Sequence, residues 1–305
     1  FTMTGGSVGG TVSGEAGVDT FTLSGGTAGS VSGGDEGDEI NLSGTTVTSN
    51  VAGDGGNDRI TLTAGAVGGT VSGGAGVDTF TLSGGTAGSV SGGDEGDEIN
   101  LSGTTVTSNV AGDGGNDRIA LTAGAVGGTV SGGTGADTLD LSGGTANAVS
   151  GGDDGDEIKL RGATVTTSVS GDGGNDIVTM TSGSVGQDVL LGDGADTFTM
   201  TGGTVGGTVS GEAGDDTISL TGVSVTSVSG GNDNDTIAID ASTVTTVLGD
   251  AGDDTVTMTA GSQVATVLLG SGADRFSMTG GTVSSSVSGG TGADTLDLSG
   301  GTANA

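Results

Sequence analysis

The residues of this chain that could do chemistry are carboxylates, and one set of them keeps a fixed spacing. Asp19, Asp38, Asp58, Asp78, Asp97, Asp117, Asp137, Asp156, Asp176, Asp196, Asp216, Asp235, Asp254, Asp274 and Asp294 follow one another at intervals of 19 or 20 residues. Oxygen donors in such a register could hold hard cations, cap turn amides, or act as acid and base in a hydrolase. What is missing narrows the choice. The 305 residues include no His, Cys, Pro, Trp or Tyr. This excludes an imidazole base, a thiolate nucleophile, a disulfide and any zinc, copper, haem or iron–sulfur site of the usual His and Cys ligand types. With 38 acidic against 5 basic residues the net charge is −33, which repels nucleic acid and anionic membranes and attracts multivalent cations. Paired carboxylates such as Asp215-Asp216 and Asp253-Asp254 recur along the chain instead of marking one place. A scaffold repeats itself in this way, so the chain is expected not to be an enzyme, and no catalytic residue is assigned.

The elements that must position the aspartates follow from the apolar residues around them. A valine stands seven residues before every one, from Val12 and Val31 to Val267 and Val287. Apolar residues stand two and four residues after each, as in Phe21 and Leu23, Ile40 and Leu42, or Leu296 and Leu298. Residues two apart share one face of a strand, so each aspartate opens a short strand with an apolar and a polar face. A second short strand carries the valine, usually with Val or Ala three or four residues earlier, as in Ala28 and Val31. A unit of about 20 residues cannot bury its own apolar face, but stacked units can. The expectation is an all-β, parallel β-solenoid of 15 coils without helices, with a lumen of Val, Ile, Leu, Ala, Met and Phe. No apolar run approaches the roughly 20 residues of a membrane span.

A longer period overlies the short one. Residues 19–77 recur almost unchanged at 78–136, which marks three-coil blocks continuing over 137–195 and 196–253 of one continuous solenoid. Stacking would set Glu39 against Arg59, Glu98 against Arg118 and Asp140 against Lys159 on the outer face, as weak surface pairs worth at most about 1 kcal/mol each.

The segment between valine and aspartate reads Gly73-Gly74-Ala75-Gly76-Val77-Asp78-Thr79-Phe80 in one coil and Gly132-Gly133-Thr134-Gly135-Ala136-Asp137-Thr138-Leu139 in another. Here the chain resembles the repeats-in-toxin family, whose nonapeptide G-G-x-G-x-D-x-U-x binds calcium in a right-handed parallel β-roll. The resemblance runs through all the coils. It implies that the fifteen aspartates, with turn carbonyls, are calcium ligands, and that the chain is secreted unfolded by a type I system and folds outside the cell. Physical chemistry agrees. Stacked coils bring like charges to roughly 5 Å, where each pair repels by about 1 kcal/mol or more unless a cation intervenes. Calcium accepts six to eight oxygens in flexible geometry, whereas magnesium is stricter.

Departures from the motif carry their own expectations. Only one turn of each coil has it, so one row of ions is expected, not two. In the turns around Glu36, Glu95, Asp154 and Asp233 an acid takes the fourth position, which leaves open how those turns bind. Leu191 and Leu269 replace the first glycine in two others.

The function expected is a calcium-stabilised structural segment of a secreted bacterial surface fibre, filament, adhesin stalk or surface layer. Without ions, charge density and glycine content should leave it disordered. The sequence opens in mid-repeat, as a piece of a longer chain would, and terminal coils expose strand edges and lumen, so copies of itself are expected partners by end-to-end or lateral assembly. The alternative is a binding module whose outer face takes ice or glycans. The variable turn positions, such as Ala16 and Val18 against Asp35 and Gly37, supply no regular array for it.

Overall fold

The computed structural model describes residues 1–303. It divides into two compact units, Phe1–Asp153 and Asp154–Ala305. Each unit is a parallel β-solenoid, and among the described residues there is no helix. In the first unit the strands Thr20–Leu23, Glu39–Val47, Arg59–Ala75, Thr79–Leu82, Glu98–Val106, Arg118–Thr134 and Thr138–Leu141 pair in parallel, coil upon coil. Their register stacks like on like. Phe21, Ile40, Ile60, Phe80, Ile99, Ile119 and Leu139 form one inward ladder, and all are buried. The second unit repeats this with Ile158, Val178, Phe198, Ile218, Ile237, Val256 and Phe276. Two or three smaller residues separate successive Phe along each ladder, which a narrow, closely packed lumen accommodates.

The 19- and 20-residue coils differ where the sequence suggested. In the first unit Val126 pairs with Ala146 and Thr129 with Ala148, so one residue is absorbed as a bulge between the two valine-bearing positions. From the valine to the aspartate the register never slips: Val71, Ser72 and Gly74 stand against Val90, Ser91 and Gly93. One corner of every coil therefore tolerates a residue more or less, and the opposite corner does not.

That stricter corner contains two backbone positions with φ > 0, four and two residues before the aspartate. At the first, glycines adopt φ of +97° to +127°, and a Cβ on Gly74 or Gly93 would stand 2.0 or 1.9 Å from the carbonyl oxygen of the preceding coil. No side chain fits there without moving backbone. Glu15, Asp54, Asp113, Asp172, Glu212 and Asp250 occupy the same position with φ of 70° to 79°, the left-handed helical region open to other residues. No two successive coils carry a side chain at this position.

The outer face differs from expectation in its ion pairs. Glu39 stands beside Arg59 and Glu98 beside Arg118, as stacking requires. Arg118 instead lies 4.0 Å from Asp140, and Lys159 pairs with Glu157 on its own strand. Half-exposed long side chains gain little from fixing one partner, so the register does not rest on these pairs.

Candidate metal centre

Valine on one side and the apolar pair on the other pin each turn to the lumen, and this turns the aspartate side chain inward. Asp38, Asp58, Asp78, Asp97 and Asp117 in the first unit, and Asp176, Asp196, Asp216, Asp235, Asp254 and Asp274 in the second, are each at most 3% exposed; Asp137 and Asp156 are buried likewise. Asp19 and Asp294, in the first and last coils, are half-buried. The structure thus brings the fifteen predicted residues into one row within each unit, all on the same corner.

Each carboxylate is divided in its duties. One oxygen accepts the backbone N–H of the preceding coil's aspartate. Asp38 Oδ1 takes the N–H of Asp19 at 2.7 Å, Asp58 that of Asp38 at 2.6 Å, and Asp78 that of Asp58 at 2.7 Å. The same ladder runs from Asp156 through Asp176, Asp196 and Asp216 in the second unit. The other oxygen, Oδ2, is buried without a hydrogen bond in Asp38, Asp58, Asp78, Asp97, Asp117, Asp176, Asp196, Asp216, Asp235, Asp254 and Asp274. A buried acceptor left this way normally costs about 1–3 kcal/mol, more if charged.

Outside the Asp196 and Asp274 coils, where Leu191 and Leu269 replace a glycine, the orphaned oxygens share one environment. Five residues before the aspartate stands a glycine whose missing side chain leaves a cradle. A Cβ on Gly33 would lie 2.3 Å from Asp38 Oδ2 and 2.5 Å from the carbonyl oxygen of Gly53 in the next coil. On Gly92 it would lie 2.3 Å from Asp97 Oδ2 and 2.5 Å from the Gly112 carbonyl, and on Gly211 2.2 Å from Asp216 Oδ2 and 2.3 Å from the Gly230 carbonyl. A carboxylate oxygen of one coil and a carbonyl oxygen of the next therefore converge in the space the glycine vacates. Among the described residues no three carboxylates meet as a compact metal cluster. The donor set is instead one carboxylate per coil plus backbone carbonyls, all hard oxygen, which suits calcium. The residues present fit that ion.

Burial raises these carboxyls far above the usual 3.8. Desolvation is the largest cause, opposed by the N–H bond and reinforced by neighbouring acids, and it brings Asp58, Asp78, Asp117, Asp216 and Asp235 to about 7. Asp97, Asp176 and Asp254 rise to about 6 for the same reasons. Near neutral pH the row is therefore short of positive charge or of protons.

The turns with a displaced acid keep this geometry. Glu36, Glu95, Asp154 and Asp233 take φ of 65° to 72°, still positive but below the 103° to 153° of the glycines that other coils have there. The Glu36 carboxylate is exposed and accepts the N–H of Gly17 at 2.6 Å, as Glu95 accepts that of Gly76 at 2.9 Å. Their side chains tie the outside of the turn, while Asp38 and Asp97 keep their cradles.

One contributor had not been singled out from the sequence. The residue just before the aspartate is often Asn or Asp, and its side chain accepts the N–H of its counterpart in the next coil. Asn57 takes that of Val77, Asn116 that of Ala136, Asn175 that of Ala195, and Asp253 that of Ala273, at 2.7–3.1 Å. Neighbouring residues thus bond in opposite directions, one to the coil before and one to the coil after. The pair Asp253-Asp254 is divided this way, and Asp215-Asp216 likewise, with Asp215 bonded to Asn234 and Asp216 in the inner row. These carboxylates are ladder members on opposite faces, not an acid and base aimed at one bond.

No protein family and no curated protein sequence matches the chain. Among solved structures, a hyperactive, Ca2+-dependent, β-helical antifreeze protein from an Antarctic bacterium is similar, with a TM-score of 0.58 and 24% identity over 77% of this chain and 78% of that one. This supports the β-solenoid fold. The likeness to the repeats-in-toxin family rests on the turn motif and on that fold.

Proposed function

We propose that the chain is a calcium-stabilised structural segment of a secreted bacterial surface protein, such as a fibre, filament, adhesin stalk or surface layer. One observation carries the calcium reading: buried carboxylate oxygens without a hydrogen bond that, in coils with the cradle glycine such as those of Gly33, Gly92 and Gly211, converge with a backbone carbonyl across that glycine. Calcium supplies the positive charge and coordination that this row of oxygens lacks. The chain's own residues do the rest. Aspartate Oδ1 fixes the carboxylate by its ladder bond, the glycine keeps the cradle open, and the valine and apolar pair hold both against the lumen. The similar solenoid is described as Ca2+-dependent, which agrees with this reading.

A structural role fits a chain whose sites repeat without one distinctive place. Placement outside the cell fits ion-coupled folding, because a chain left unfolded where calcium is scarce can be exported, by a type I system on this reading, and fold where calcium is plentiful. The test is circular dichroism of the purified chain near neutral pH. In calcium a β spectrum is expected, and excess chelator should abolish most of it, reversibly. An unchanged spectrum in chelator overturns the proposal.

A second reading has one specific observation behind it. The first outward strand position mixes Thr, Glu and Arg along the first unit, but in the second it is Thr in four successive coils, Thr197, Thr217, Thr236 and Thr255. Thr199, Ser219 and Thr257 stand two residues on, on the same face. Such a hydroxyl array, interrupted in its second column by Ala238, could order water or ice. This reading predicts thermal hysteresis in the calcium-bound protein, lost on Thr217→Glu; ice growth unaffected by the wild-type chain removes it.

A further inference from the structure

Two coils lack the cradle glycine. Leu191 and Leu269 stand five residues before Asp196 and Asp274, and both side chains are wholly buried, at 0% exposure. Where glycine occupies this position, a Cβ points straight at the carboxylate Oδ2 and the next carbonyl, at about the length of a calcium–oxygen bond. A leucine side chain at this position leaves on the bond that, in the glycine coils, would point into the cradle.

The neighbouring cradles are intact. A Cβ on Gly171 would lie 2.3 Å from Asp176 Oδ2 and 2.2 Å from the carbonyl of Leu191 itself, and one on Gly249 would lie 2.5 Å from Asp254 Oδ2 and 2.2 Å from the carbonyl of Leu269. Each leucine thus lends its backbone oxygen to the preceding site and closes its own with its side chain. The aspartates beside them still serve the ladder: Asp196 accepts the N–H of Asp176 at 2.6 Å and donates its own to Asp216 at 2.8 Å. Asp274 accepts that of Asp254 at 2.9 Å. Both aspartates keep the buried, unbonded Oδ2 of the other coils; what their coils lack is the glycine cradle, and what they retain is the ladder bond.

We propose that Leu191 and Leu269 substitute for a cation at the Asp196 and Asp274 positions, so that the ion row of the second unit is interrupted at two junctions held by apolar packing. The inference rests on the calcium reading above. It divides the aspartates into two kinds, those that would ligate an ion and complete the ladder, and Asp196 and Asp274, which do only the latter. It also makes the two units unequal, since no leucine occupies this position in the first.

The experiment counts calcium bound per full-length chain by equilibrium dialysis, in the wild type, Leu191→Gly and Gly73→Leu. One ion more is expected for Leu191→Gly, and one fewer for Gly73→Leu, whose cradle lies 1.9 Å from Asp78 Oδ2 and 2.6 Å from the Gly92 carbonyl. Equal counts in the wild type and a folded Leu191→Gly overturn the inference. Should that variant not fold, Gly73→Leu decides alone: one ion fewer supports the inference, and an unchanged count overturns it. A wild type that binds no calcium would instead sink the parent proposal, so the two failures are distinguishable. Hydrogen exchange during brief chelation gives a second readout. Amides flanking Leu191 and Leu269 should exchange more slowly than those flanking Gly73, and equal rates count against the leucines.

Discussion

Acid should restore to the ion-free chain much of the fold that chelation removes. Asp58, Asp78, Asp117, Asp216 and Asp235 are pushed up to about 7 when folded, and Asp97, Asp176 and Asp254 to about 6, against 3.8 for an ordinary Asp, with burial as the main cause. A folded-state value raised in this way favours the protonated folded chain. Its contribution to stability is fully present below the unfolded value and disappears as pH rises from about 4 through 7. In chelator, β content should therefore climb as pH falls from about 8 to about 5, where net charge remains negative and the chain stays soluble. In calcium the dependence should reverse at the acid end, because protons compete with the ion for the same oxygens. Circular dichroism across this pH range, with and without calcium, checks both arms. A chelated chain that loses structure on acidification would mean that the buried carboxyls are not what calcium neutralises.

A single valine at Gly74 should be among the most damaging substitutions the chain can suffer. Gly74 has φ +116°, which a β-branched residue does not adopt, and its Cβ would stand 2.0 Å from the Asp54 carbonyl oxygen. Because the obstructing atom is backbone in a paired coil, a loss of at least about 4 kcal/mol is expected for Gly74→Val. Asp54→Gly, at the equivalent place one coil earlier, provides the contrast. Asp54 already lies at φ 79° and its carboxylate accepts a hydrogen bond from Ser32, so glycine relieves strain while losing one surface bond. A change within about 1 kcal/mol is expected there. Repeat arrays need not unfold in one step, so hydrogen exchange over the coils containing residues 54–97, in saturating calcium, is the decisive measurement. Equal protection in the two variants would refute the assigned backbone constraint.

Much of this was legible in the sequence because stacking repeats makes position alone informative. The fixed interval from Val71 to Asp78 gave the rigid corner, and Phe80 with Leu82 gave the inward face. Inward direction of Asp78 was less visible, since a charged residue after glycines reads as surface until the coil is closed around it. The division of labour between Oδ1 and Oδ2 could not be read at all, because it depends on where the preceding coil's N–H lies. Asn57 and Asp253 looked like ordinary turn residues for the same reason. The expected pairing of Glu98 with Arg118 had the right register and the wrong partner: adjacency between strands is set by the ladder, but a long side chain chooses among neighbours along as well as across it.

The alternation four residues before the aspartate has a consequence for how such a gene can lengthen or shorten. Glu212, Gly231 and Asp250 occupy that place in three successive coils, and a Cβ on Gly231 would lie 2.3 Å from the Glu212 carbonyl oxygen. Unequal recombination that excised the middle coil would lay Asp250 directly upon Glu212, a juxtaposition the chain never contains. Duplication of a whole block such as 19–77 sets Gly34 next to Gly74 at the new junction and leaves the spacing of side chains intact. Near-identical DNA invites exchange in any register, yet the backbone at one corner of the coil decides which products still fold.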